Sequence, residues 1–121
     1  MFYCELLSGI WISDIEIMNN SNFIKDKNIT IVLNCTQIYD FPDIDIQKIR
    51  LPFSPHQNND ENLRLLKNNY VQIVEYIQEN IDTNNILISC YDGKSISPFI
   101  VALYIMKYSK IDKKSIYQIL L

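Results

Sequence analysis

Arginine and histidine are scarce: Arg50, Arg64 and His56 are the whole complement among 121 residues. Glycine is as rare, with Gly9 and Gly93 alone, beside four prolines. That excludes collagen-like, low-complexity and turn-dominated architectures. No stretch of 18 consecutive apolar residues occurs, which excludes a membrane-spanning helix by hydropathy. Cysteine is limited to Cys4, Cys35 and Cys90, an odd number at wide spacing with no CxxC pair. Neither a disulfide framework nor a zinc site follows, and a reducing compartment is expected. Basic residues form no cluster or arm, and the net charge is −3; strong non-specific nucleic-acid binding is therefore not expected. The segment Met1-Phe2-Tyr3-Cys4-Glu5 lacks the basic region and apolar core of a signal peptide. The expected location is the cytoplasm, or the host cytoplasm for a chain of viral origin. No metal or other cofactor is expected.

What is abundant is isoleucine (22) and asparagine (13). Their codons are A/T-rich, so a biased genome can raise the asparagine count on solvated surface. Hydrophobic residues make up 48% of the chain. At this length a domain buries roughly two-thirds of its unfolded surface, and one domain over residues 1–121 is expected. Tyr3 to Leu6 and Gly9 to Ile12 read as a strand hairpin. Ser13-Asp14 can cap a short helix carrying Ile15, Ile17 and Met18. Ile29 to Asn34 is β-branched and nearly continuous in apolar character, the mark of a strand buried on both faces. Gln47 to Leu51 predicts another strand, and Pro52 to Asn59 a polar loop. Asp60 can cap a helix placing Leu63, Leu66, Tyr70, Ile73, Val74, Ile77 and Ile81 at steps of three and four. Ile86-Leu87-Ile88 predicts a second buried strand. Ser97 reads as the N-cap of a helix with Pro98 at its first position. Asp112 can cap a last helix carrying Ile116, Ile119 and Leu120. Alternating strands and helices predict an α/β domain with a central, mostly parallel sheet flanked by helices.

The segment from Ile86 to Ala102 carries the chemistry. A buried strand leads to Cys90, a short loop with Gly93, and a helix opened by Ser97-Pro98. Successive backbone N–H groups and a helix N-terminus converge there, as in an anion cradle, and glycine lets the backbone approach closely. The frame Ser89-Cys90-Tyr91-Asp92-Gly93-Lys94-Ser95-Ile96-Ser97-Pro98 resembles the signature of the dual-specificity branch of the Cys-based protein tyrosine phosphatases. That signature is His-Cys, five residues, Arg, then Ser or Thr. Cys90, Gly93, Ser95 and Ser97 fit it; the His position holds Ser89 and the Arg position Ile96. Gly9-Ile10-Trp11-Ile12 resembles the family's "GLYLG" strand, Ile29 to Thr36 its "ITHILNVT" strand, and Val101 to Met106 its "VIAYLM" helix. Asp60 stands seventeen residues before Ile77, the family's spacing from general-acid Asp to the end of the next helix.

The resemblance implies a single-domain dual-specificity phosphatase-like fold with a shortened C-terminus. It implies Cys90 at the nucleophile position, Asp60 at the general-acid position and Ser97 at the hydroxyl after the Arg. The phosphate loop would run through Cys90, Tyr91, Asp92, Gly93, Lys94, Ser95 and Ile96. In such enzymes the thiolate attacks phosphorus, an Asp protonates the leaving oxygen, and the Arg forks onto two phosphate oxygens. Ile96 donates no hydrogen bond. Losing two bonds to a charged group costs about 3–6 kcal/mol, or about 10²–10⁴ in rate. Lys94 is a point charge without the fork geometry.

Each residue also has a plainer reading: Cys90 as a small buried residue at a strand end, Asp60 as a helix cap, Asp92 as loop structure, and His56 as a solvated loop residue. Tyr70 and Trp11 read as core, Cys4 and Cys35 as inert buried thiols, and the asparagine runs as solvated surface. Three functions compete: a pseudophosphatase that binds a phosphoprotein or a protein of a phosphatase or kinase pathway, a weak phosphatase using Cys90 and Asp60, and an interaction protein whose loop is idle. The apolar Leu120-Leu121 end adds the expectation of a partner surface, possible as a homodimer.

Overall fold

Two isoleucine-rich strands with apolar residues on both faces set the architecture. The computed structural model describes residues 1–55 and 60–108. The strands are β1 (Tyr3–Leu7), β2 (Ile10–Ser13), β3 (Ile29–Asn34), β4 (Gln47–Arg50) and β5 (Asn85–Ser89). They form one sheet in the order β1-β2-β5-β3-β4. Only the β1–β2 hairpin is antiparallel; β2–β5, β5–β3 and β3–β4 are parallel. Gly9 turns the hairpin with φ +82°, a conformation open to glycine at little steric cost.

The helices are α1 (Ile15–Met18), α2 (Ser21–Asp26), α3 (Asp60–Asn80) and α4 (Ile96–Tyr108). Strand alternation decides which helix meets which face. Ile31, Leu33, Ile86 and Ile88 pack with Ile73 and Ile77 of α3 and Ile100, Val101 and Ile105 of α4. Val32 and Leu87 point the other way, onto Ile17 and Met18 of α1 and Phe23 and Ile24 of α2. The sheet is thus covered on both faces, as a mostly parallel sheet requires. Among the described residues no helix is long and apolar enough to cross a membrane.

Asp14 caps α1, its carboxylate accepting from the Ile17 N–H at 3.0 Å. Helix α2 was not legible in the sequence pattern. Its cap is Asn20, whose side chain accepts from the Phe23 N–H, so an asparagine that read as solvated surface has a structural task. Helix α3 follows its predicted stripe only in the C-terminal half, where Ile73, Val74 and Ile77 are buried. Leu63 is 67% exposed and Tyr70 39% exposed, against the core expected of both. Asn62 turns inward instead: it donates to the Ser54 carbonyl and accepts from the Ser54 N–H at 2.7 Å. That clamp sets the first turn of α3 against the loop after β4, which leaves Leu63 facing out. Trp11 is half-buried, with the Phe23 ring edge-on at 5.7 Å. Helix α4 starts at Ile96, so Ser97 is its second residue and not its cap. Pro98 is the third, still within the turn where an N–H has no intrahelical acceptor. His56 and the helix expected after Asp112 lie outside the described residues.

Candidate active site

Loops at the carboxyl ends of parallel strands are where open α/β sheets place their sites. β5 ends there at Ser89, and Cys90 follows, fully buried. The Cys90 N–H donates to the Ser13 carbonyl at 3.1 Å, which seats it against the end of β2. Ser89 is also fully buried. Its hydroxyl donates to the Asp14 carbonyl at 2.9 Å and accepts from the Ser13 hydroxyl at 3.3 Å. A compact two-serine network therefore fills the place of the imidazole that the signature carries.

The loop then turns through Gly93 at φ +74°. A Cβ there would stand 2.7 Å from the Ser13 carbonyl carbon and 2.8 Å from the Asp14 nitrogen. Glycine is needed for both the conformation and the close approach to the β2–α1 junction. Asp92 turns its side chain onto the residues that follow it in the loop. Its Oδ1 accepts from the Lys94 N–H at 2.9 Å, the Ser95 N–H at 3.2 Å and the Ser95 hydroxyl at 3.0 Å. The Cys90 thiol also donates to this oxygen, at 3.7 Å. Partial burial pushes the Asp92 carboxyl upward, but the four hydrogen bonds outweigh it and the net shift is downward.

Helix α4 contributes the far side of the cradle. The Ser97 N–H donates to Cys90 Sγ at 3.5 Å. Ser97 Oγ is the one buried side-chain oxygen or nitrogen without a hydrogen-bond partner among the described residues. Ile96, half-buried, presents only carbon to the cavity mouth. Lys94 also borders this cavity, but its Nζ lies 5.2 Å over the Phe2 ring and it lacks the fork geometry of a guanidinium. Tyr91 braces the loop from outside: its hydroxyl donates to the Phe53 carbonyl at 2.8 Å and accepts from the Gln37 N–H at 3.1 Å.

Asp60 is exposed in the first turn of α3. The structure brings that turn beside the loop, since Asn62, Leu63 and Leu66 share one open cavity of about 540 Å³ with Tyr91, Asp92 and Ile96. The sequence reading missed Asn62, which holds the α3 start in place, and Phe53 and Phe99, which wall the cavity. An isolated Asn inside an Asn-rich run gives no signal that it is buried. Of the other thiols, Cys35 is buried behind the loop, and burial followed by the proximity of Cys90 pushes its thiol well up. Cys4 is half-buried, not buried as expected.

A Cys at the carboxyl end of a parallel strand, a tight glycine loop and a helix N-terminus define a Cys-based phosphatase-like domain. Residues 10–121 match the dual specificity phosphatase catalytic domain, and the chain belongs to that family. Solved structures agree on the fold. The structure of DUSP15 superposes with a TM-score of 0.83 at 16% identity, covering 98% of this chain and 73% of that one. The human tyrosine phosphatase-like serine/threonine/tyrosine-interacting protein gives 0.78 at 16%, covering 96% and 80%. The PTP-2 phosphatase of Cydia pomonella gives 0.76 at 18%, covering 98% and 77%. No curated protein sequence matches this chain.

Proposed function

We propose that this protein is a pseudophosphatase: a phosphatase-fold module that binds a phosphoprotein or regulates a phosphatase or kinase pathway without turning over phosphate. The observation that carries the reading is Ile96. It stands at the start of α4, where transition-state charge has to be met by a forked cation, and it offers none. Ser89 supports the reading, because its hydroxyl is committed to Ser13 and Asp14. One fold neighbour is named a tyrosine phosphatase-like serine/threonine/tyrosine-interacting protein. The test is turnover of an aryl phosphate. The expected rate is no higher for wild type than for Cys90→Ser; turnover that Cys90→Ser abolishes overturns the reading.

A weak phosphatase is the second reading, and Ser97 favours it. Its N–H is aimed at Cys90 Sγ, and its buried hydroxyl has no partner in the resting protein, as a donor reserved for a bound anion would be. In that reading Cys90 is the nucleophile and Asp60 the acid. The same assay separates the two, with Asp60→Asn expected to slow turnover only in the second.

A further inference from the structure

We propose that Asp92 is an internal occupant of the phosphate seat, a carboxylate that takes up donors of the loop and sets the site against anions. The inference rests on the reading of this loop as a phosphate cradle and extends it. In such a cradle the backbone N–H groups between the cysteine and the helix turn inward and share an anion's oxygens. Here two of them, on Lys94 and Ser95, are taken by one oxygen, Asp92 Oδ1. The Ser95 hydroxyl joins them. The same oxygen is 3.7 Å from Cys90 Sγ, so it lies on the sulfur side of the loop, within the reach of a group about to be attacked.

The donor count supports an internal anion. A ligand carboxylate or phosphate oxygen at such a seat takes several N–H and O–H bonds at once, and Asp92 Oδ1 does so. On the opposite side, Ser97 Oγ has no partner. The cradle is therefore divided: the donors near Asp92 are satisfied from within the chain, and the donor near the helix is not. An incoming phosphate dianion would have to displace the carboxylate from the Lys94 and Ser95 amides. It would also meet that carboxylate's charge nearby, with Ile96 giving no cation to offset it. The two changes act in the same direction. One removes the positive charge that draws the anion in, and the other places a negative charge where the anion would sit. Ile96 and Asp92 thus both weaken the seat for an anion, Ile96 by withholding a cation and Asp92 by occupying the Lys94 and Ser95 amides.

The experiment is titration of the full chain with inorganic phosphate, followed through the amide resonances of Lys94 and Ser95. It compares wild type, Asp92→Asn, Asp92→Ala, Ile96→Arg and the double variant Ile96→Arg/Asp92→Asn, each checked for folding by circular dichroism. Asp92→Asn keeps a neutral acceptor of the same shape, so the loop can hold its turn; Asp92→Ala removes the acceptor. The expected result is tighter phosphate binding in both Asp92 variants. The gain is about tenfold or more, equivalent to regaining one hydrogen bond to a charged group. The double variant should bind tightest. If Ile96→Arg gains affinity, while neither Asp92 change tightens binding in the wild-type background and Asp92→Asn adds nothing in the Ile96→Arg background, the internal-anion proposal is overturned and the cradle reading stands. If the folded double variant shows no phosphate-dependent shift at Lys94 or Ser95, the cradle reading itself fails, and the proposal with it.

Discussion

Replacing Ile96 with arginine, alone and together with Ser89→His, is the perturbation whose size the structure lets us work out. Ile96 is half-buried at the first turn of α4 and borders an open cavity of about 540 Å³, so a guanidinium can reach the loop without being buried. Two hydrogen bonds from that fork to a phosphate are worth about 1.5–3 kcal/mol each, so about 3–6 kcal/mol together. In rate this is about 10²–10⁴. The opposing terms are smaller. Loss of part of the Ile96 packing costs about 1 kcal/mol, because an arginine stem covers some of the same apolar surface. Ser89→His is more costly, since Ser89 is fully buried and the larger ring must displace the Ser13 network; overpacking of this kind costs about 1–3 kcal/mol. Turnover and stability should therefore move in opposite directions. Aryl phosphate hydrolysis is expected to rise, with kcat/KM measured against a Cys90→Ser blank in each background. The melting temperature is expected to fall, more in the double variant than in Ile96→Arg alone. Because Asp92 holds part of the cradle, adding Asp92→Asn should raise the rate again. A folded triple variant as slow as wild type would refute the reasoning, since no named lesion would then remain to account for inactivity.

The loop and core support further expectations. Gly93→Ala should destabilise by about 1–3 kcal/mol from the positive φ alone, and by more once the contact with the Ser13–Asp14 backbone is added; an unchanged denaturation midpoint would count against the geometry. Ile77 is fully buried and Leu63 is 67% exposed. Ile77→Ala should therefore cost about 2–5 kcal/mol and Leu63→Ala less than about 0.5 kcal/mol, and equal losses would contradict the observed face of α3. The Asp92 carboxyl is shifted down in the folded state, so its contribution to stability is present above the ordinary unfolded value of about 3.9 and fades as pH falls through the lower folded value. Urea titrations should show Asp92→Asn less stable than wild type at neutral pH, the two converging in acid. A pH-independent gap would mean the charge is not what holds the turn.

Apart from α2, the order of the described strands and helices, the parallel sheet and the place of the loop were legible in the chain itself. Those features depend on local pattern: continuous apolar character at Ile29 to Asn34 and Ile86 to Ile88 marks strands buried on both faces, and Cys90, Gly93, Ser95 and Ser97 keep the spacing of a strand, a tight loop and a helix. The two departing positions, Ser89 and Ile96, were legible only through the resemblance of this frame to the family signature. The helical stripe failed at Leu63 and Tyr70, because periodicity assigns one continuous face. The first turn of α3 lies instead over Phe53 and Ser54, where Asn62 finds backbone partners. Side-chain directions within the loop depended on the tertiary structure alone. Local sequence does not reveal that the Lys94 ammonium stands over Phe2, or that Ser89 is held by Ser13, 76 residues away. Nor does it show that Asp92 points inward, onto the amides a phosphate would use. Backbone periodicity is a property of neighbours along the chain. The shape of the cradle is decided by the backbone the fold brings against it, here Ser13 and Asp14 against Gly93, and that shape sets which amides a neighbour such as Asp92 can reach.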